Sequence, residues 1–256
     1  MKTNQRTWVG LVVLLVGAFF LRFIQLSSNP PGFFRDEADK GYTTYCLLET
    51  GQDQAGKHWP WYVKAMNVTT SALYQYVDMP FIAGMGLTEL AVRLPACLAG
   101  TASVGIAFLL ARSLWGNTGG LWAGLFVCLS PWSLLLSRWA NQSILLTVSV
   151  PLGVYFFICE KERIFPSIRF AILSGLCFLL AIYTYEPAQL FVPVFVVLLW
   201  CVSLSRPALS QEKRKWFLVS MMVFFVVFAL GCIPMILHLI NQPAESSARF
   251  SRITIF

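Results

Sequence analysis

Between Arg93 and Arg112 the chain runs through LPACLAGTASVGIAFLLA without a single charge, and comparable apolar runs recur along most of its length. A helix rises ~1.5 Å per residue, so a run of this size covers most of the ~30 Å hydrocarbon core of a bilayer. In lipid no water is at hand for the backbone, and a helix is the structure that satisfies its own N–H and C=O groups. Runs at 8–26, 94–111, 119–137, 143–159, 170–185, 187–205 and 216–240 therefore lead us to expect seven spans and an all-α polytopic membrane protein. Composition agrees, because 57% hydrophobic residues, 12% charged residues and a mean hydropathy of +0.67 lie outside the range of soluble globular domains.

The net charge of +7 does not point to nucleic acid, since Lys and Arg fall in short runs between apolar segments, where they set topology. Lys2 and Arg6 precede the first run, which has no small-residue cleavage site after it and reads as an uncleaved signal anchor with its N-terminus inside. With that orientation the inner loops hold Arg112, Lys161, Arg163, Arg169, Arg206, Lys213, Arg214 and Lys215, against Arg138 alone in the short outer loops. The long loop at 27–87 then faces the extracytoplasmic side, and a bacterial inner (plasma) membrane is the expected location. Of the seven cysteines only Cys46 lies in a long polar loop, and no CxxC spacing or disulfide framework is present.

That long loop carries the chemistry. Five of the twelve acidic residues lie between Asp36 and Asp53. Asp36 is placed to cap a helix running to about Thr50, with Gly51 as its stop. Phe34, Ala38, Tyr42 and Cys46 would give the helix one apolar face, so it is expected to lie in the membrane interface. Carboxylates in a first helical turn also suit the helix dipole, so spacing alone leaves a structural cap and a reactive pair as open alternatives. Further on, Tyr74, Tyr76 and Phe81 mark a second interfacial segment.

The wording PPGFFRDEADKGYTTYCLLETGQDQAGKHWP, from Pro30 to Pro60, resembles the first outer loop of the GT-C membrane glycosyltransferases. It is similar to the branch holding protein O-mannosyltransferases and lipid A aminoarabinose transferases. Asp36, Glu37, Tyr42, Gly51, Asp53, Gly56 and Pro60 match the pattern of an Asp-Glu pair, an aromatic helix, a T-G-x-D-x-x-G turn and a proline. VRLPACLAG at 92–100, LSPWSLLLSRWANQ at 129–142 and YTYEPAQLFVP at 183–193 also look like the family. The resemblance covers essentially the whole chain and ends at RFSRITIF, a stretch that in the family lies near the middle. The expectation is thus the N-terminal transmembrane part of such an enzyme, spanning 1–256 and truncated.

What the resemblance implies is an inverting transfer of a sugar from a polyprenyl-phosphate carrier to a lipid or protein acceptor. It implies Asp36 as the general base, with Glu37 orienting or tuning the pair; adjacent carboxylates repel. A departing phosphate needs cations. Lys64, Arg93 and Arg138 are the candidates, with His58 and Arg35 behind them. Membrane lipids are the remaining expected partners, and nucleic acid is not one. Arg93 and Arg138 have an alternative reading as interfacial snorkelling residues, and His58 as a plain loop histidine.

Two departures bear on cofactors. Asn141-Gln142 and Gln189 stand where relatives often have an acid and an arginine. Without acidic oxygens there, no firmly bound metal and no other cofactor is expected; nothing supports a divalent cation. Glu186 is the candidate substitute acid. Asn67 and Asn141 open short glycosylation patterns that carry little weight. A non-catalytic membrane remnant, or a subunit that binds or translocates a lipid-linked sugar, is the competing reading. Against it, a transporter gathers polar groups at the bilayer midplane, whereas these acids crowd an outer loop.

Overall fold

The computed structural model describes residues 5–65, 68–162, 168–204 and 211–241; Arg163, Arg206, Asn67 and the RFSRITIF segment lie outside them. The architecture is all-α and polytopic, with one small β-hairpin. In chain order the elements are α1 (Gln5–Phe23), α2 (Arg35–Thr50), β1 (Tyr62–Ala65), β2 (Val68–Ser71), α3 (Leu73–Met85), α4 (Glu89–Leu129), α5 (Pro131–Ser137), a 3-10 turn (Gln142–Leu145), α6 (Leu146–Glu162), α7 (Ile168–Ile182), α8 (Glu186–Leu204) and α9 (Gln211–Asn241).

Among the described residues five helices are long and apolar enough to cross a membrane, not the expected seven: Gln5–Phe23, Glu89–Leu129, Gln142–Cys159, Glu186–Leu204 and Lys215–His238. Two local features account for the difference. The expected span at 94–111 and the first part of that at 119–137 belong to one element, α4, which reverses at Gly116, where φ is +76° and ψ is −171°. A Cβ built on Gly120 would lie 2.9 Å from the Phe108 carbonyl oxygen, and one on Gly124 3.6 Å from that of Val104. A straight helix would hold those pairs ~18 Å and ~30 Å apart, so α4 is two antiparallel arms. Its second arm stops at Ser130, whose hydroxyl accepts from Ser133 N at the start of α5. The expected span at 170–185 is the 15-residue α7, shorter than the hydrocarbon is thick.

The outward faces are apolar: Val13, Trp132, Leu190, Met222 and Leu230 all project away from the bundle, Leu190 at 77% exposure. In water such a surface would be costly; against lipid tails it is the expected one. Together with the helices, it makes the chain an integral membrane protein. One apolar core joins α6 to α9 around Phe178, Ile182, Val192, Trp200 and Phe224. A second joins α3, α4 and the turn after α5 around Tyr74, Ile82, Val92, Ala96 and Ile144.

Arg22, the one charge inside the run at 8–26, is fully buried. Its guanidinium donates to Ser137 Oγ at 3.1 Å, Ser133 Oγ at 2.9 Å and the carbonyls of Ala18 and Val127 at 3.1 and 3.3 Å. Gly100 makes room for this: a Cβ there would run into the Ser137 hydroxyl and come within 3.1 Å of Arg22 Nε. A cation in a span is tolerated when neighbouring oxygens replace its water.

The 27–87 loop departs from a purely helical expectation. Between its two helices, β1 and β2 pair antiparallel from Tyr62↔Ser71 to Ala65↔Val68. The hairpin is pinned to the far bundle, since Ser71 Oγ donates to the Tyr183 carbonyl and the Trp61 and Tyr183 rings lie 5.6 Å apart. The acid-bearing unit is thereby held over the α7–α8 corner.

Candidate functional site

The site begins at the first turn of α2. Phe34, not Asp36, is its N-cap, with extended backbone at φ −65°, ψ 146°. Glu37 occupies the third helical position and its Oε2 accepts from Phe34 N–H at 3.1 Å. That bond satisfies an N–H the helix itself cannot. The helix ends as expected: Gly51 is left-handed at φ +69° and donates to Leu47 O.

Glu37 is fully buried and wholly engaged. It takes Arg93 Nε on Oε1 at 3.0 Å and Arg93 Nη2 on Oε2 at 2.9 Å, and Oε1 also accepts from Ala140 N at 3.0 Å. Arg93, equally buried, has all five N–H donors in use. Its Nη1 reaches the carbonyls of Leu26 and Pro30, both at 3.1 Å, and its Nη2 that of Gly32 at 2.6 Å. The pair therefore ties α2, α4, the 26–32 segment and the turn at Ala140 to one point. A buried bidentate pair of this kind is stable only when every lone pair and proton is satisfied, which is so here.

Arg138 is also occupied. It donates to the carbonyls of Leu21, Arg22, Ile24, Gln25 and Asn29, at 2.7 to 3.2 Å, closing the C-terminal end of α1. A guanidinium at a helix C-terminus meets unpaired carbonyls and the negative end of the dipole. Arg93 has no donor left for a phosphate in this conformation, and Arg138 has both terminal nitrogens committed, with only its Nε–H outside these bonds. Lys64 is exposed on β1, opposite Thr69. His58 is exposed, with Nε2 2.7 Å from Gln52 Nε2. Arg35 is exposed beside Asp36.

Asp36 contrasts with Glu37. It is half-buried, and its carboxylate makes no hydrogen bond or ion pair among the described residues, so its lone pairs are open. Asp53, the acid of the T-G-x-D-x-x-G turn, is buried and folds the turn: its Oδ1 accepts from Ala55 N at 2.9 Å and Lys57 N at 2.8 Å. Asp39, half-buried, is bonded by Gln54 Nε2 at 3.3 Å, and burial raises its carboxyl above the ordinary range against that hydrogen bond.

Two groups that sequence reasoning missed belong to this unit. Lys40 is only 8% exposed and sits one helical turn after Asp36. Burial pulls its ammonium below the usual lysine range, while Asp36, Asp39, Glu37 and, from α8, Glu186 pull it back. Asp78 on α3 is fully buried with neither carboxylate oxygen hydrogen-bonded, and burial pushes its carboxyl up to about 8. The spacing Asp36-x-x-x-Lys40 could have flagged the first; nothing local flags the second.

Beyond Glu186 the start of α8 and the start of α6 bound an apolar groove of about 380 Å³, lined by Leu146, Val150, Pro151, Tyr185, Pro187 and Phe191. Among the described residues no group of three His, Cys, Asp or Glu side chains is arranged to hold a metal ion.

Membrane-crossing helices capped by a polar unit with a first-loop Asp-Glu pair define the class, an integral membrane protein of GT-C fold. The chain resembles two crystal structures of ArnT from Cupriavidus metallidurans. The apo state aligns with a TM-score of 0.66 at 15% identity, over 97% of this chain and 44% of that one. The form bound to undecaprenyl phosphate aligns with a TM-score of 0.65 at 16% identity, over 95% and 43%. The chain thus spans less than half the length of the ArnT structures it matches. Among curated proteins none matches significantly. Residues 73–232 match the model of the dolichyl-phosphate-mannose-protein mannosyltransferase family, and the chain belongs to that family.

Proposed function

We propose that the protein is a glycosyltransferase that moves a sugar from a polyprenyl-phosphate carrier to a lipid or protein acceptor on the extracytoplasmic side of the membrane, with inversion. The observation that carries this is the division of labour in the Asp-Glu pair. Glu37 spends every lone-pair direction on Arg93 and two backbone N–H groups, whereas Asp36 is left with an open carboxylate at the rim of the same unit. A general base needs that free lone pair to take the acceptor's proton as the acceptor attacks the sugar carbon and the phosphate departs.

The carrier reading is supported by family membership and by undecaprenyl phosphate in one ArnT structure. It is also supported by the apolar groove of about 380 Å³ next to Glu186, which has no charge in its lining and would suit an isoprenyl chain. Of the cations proposed for the phosphate, Lys64 and His58 remain accessible, while Arg93 would have to surrender internal partners and Arg138 has both terminal nitrogens committed to backbone carbonyls. They are better assigned to shaping the loop that the donor meets.

The test is transfer of radiolabelled sugar from polyprenyl-phosphate donors by membranes carrying the full-length protein. Asp36→Asn should lower transfer at least ~100-fold while membrane insertion and thermal stability are kept. Undiminished transfer by that variant would refute Asp36 as the base, and no transfer by the wild type with any such donor would refute the activity.

A further inference from the structure

We infer that Lys40 is the positioning residue that balances the negative charge around Asp36 while leaving the Asp36 carboxylate unbonded. This deepens the proposed glycosyl transfer and rests on it.

The argument starts from how the two neighbouring acids are neutralised. Glu37 is met head-on by a forked guanidinium, which consumes its oxygens. Lys40 is placed four residues after Asp36, the helical spacing and order in which an acid and a lysine attract. Its Nζ nevertheless donates to the Asp36 carbonyl, at 3.4 Å, and among the described residues no carboxylate oxygen lies within ion-pair distance of it. An ammonium carries three donors, so two remain unspent on a side chain that is nearly buried.

The charges that act on it are those of acids: Asp36, Asp39 and Glu37 from α2, and Glu186 from α8. Elements packed against α2 add Tyr74 and Asp78 on α3, Glu89 and Arg93 on α4, and Tyr62 and Lys64 on β1. None of these bonds Lys40, and Arg93 is already matched to Glu37. Burying a lysine without a hydrogen-bonded counter-ion is costly and is expected only where several carboxylates share it. At a separation beyond direct contact a cation still stabilises a carboxylate's charge through a poorly screened medium. It does so without occupying the lone pair that a base must offer. A direct ion pair would stabilise the charge and block the chemistry together.

The experiment has two arms on the full-length protein in detergent. In the first, Lys40 reactivity toward trace acetic anhydride is followed by mass spectrometry across pH. Wild-type Lys40 should react at a lower pH than an exposed lysine, and Asp36→Asn and Glu186→Gln should each lower its half-reaction pH by a further ~0.5 to 1 unit. No change in either variant overturns the inference. In the second, Lys40→Met should move the acid side of the pH profile for transfer up by about one unit, and Lys40→Arg should restore it. A profile unmoved by Lys40→Met also overturns it, because a merely structural lysine would lower stability and leave the profile in place. Wild-type protein that shows the coupling but no transfer removes the glycosyltransferase reading and Lys40's catalytic meaning with it. Loss of the coupling with transfer intact removes Lys40 alone.

Discussion

Replacing Glu37 by alanine removes the acceptor for four N–H groups at once: two from Arg93, at 2.9 and 3.0 Å, and those of Ala140 and Phe34, at 3.0 and 3.1 Å. The guanidinium it leaves is fully buried, and breaking a buried pair from one side costs about 3–5 kcal/mol because the remaining charge has no water to turn to. Each orphaned backbone N–H adds about 1 kcal/mol or more, partly overlapping with that figure, so we expect a loss of about 5 kcal/mol. Against a total stability of about 5–15 kcal/mol this approaches unfolding. Glu37→Gln keeps an acceptor in place and should lose about half as much. Arg93→Leu also unties the carbonyls of Leu26, Pro30 and Gly32, yet it leaves Glu37 bonded to two backbone donors. Because each single change strands the other's charge, Glu37→Leu with Arg93→Leu should cost at least ~2 kcal/mol less than the two singles summed. Reversible unfolding in mixed micelles, followed by circular dichroism, measures each of these variants and the Glu37→Leu single that closes the cycle. A Glu37→Ala cost below ~1 kcal/mol, or strict additivity in the cycle, would refute the view that this pair ties the acidic loop to the bundle.

Asp78 makes stability depend on pH. Its carboxyl is raised from 3.8 to about 8 by burial, so between those values the folded state holds a proton that the unfolded state has released. Stability is then greatest below pH ~4 and falls as pH rises through ~8, by about 4 kcal/mol between pH 4 and 7, and Asp78→Asn should flatten that slope; a slope equal in both proteins would refute it. Gly100→Ala should cost about 2–3 kcal/mol in the same unfolding assay, since its methyl would displace Ser137 and Arg22; no loss would mean that α5 moves aside freely. Asp36→Asn, in contrast, touches no hydrogen bond and should leave stability within ~0.5 kcal/mol of wild type while removing transfer.

Much of the architecture was legible because lipid is an unforgiving solvent. Runs such as 94–111 and 187–205 have one viable fate, and the structure gives helices there, Glu186–Leu204 within a residue of the expected bounds. The reversal between the runs at 94–111 and 119–137 was legible too, but not the residue that makes it: Gly116 is one of seventeen glycines, and only its non-helical backbone and the packing of Gly120 and Gly124 against the first arm of α4 show that the chain turns there. The acidic helix was legible from its Gly51 stop, though its cap lay two residues earlier. A Glu at the third position that bonds back to the cap residue serves the N-terminus as well as a capping Asp would.

Residue chemistry in this chain follows from sequence, whereas the assignment of partners does not. Charge counts and apolar periods determined that the chain crosses a membrane and that its acids collect in one polar loop, because those properties depend on solvent and on neighbours within a helical turn. Which of two adjacent carboxylates is spent and which is open was decided by Arg93, 56 positions from Glu37, and by Ala140, 103 positions away. Coulomb forces and hydrogen bonds act over a few ångströms of space, and only the folded chain says which distant residues occupy that space.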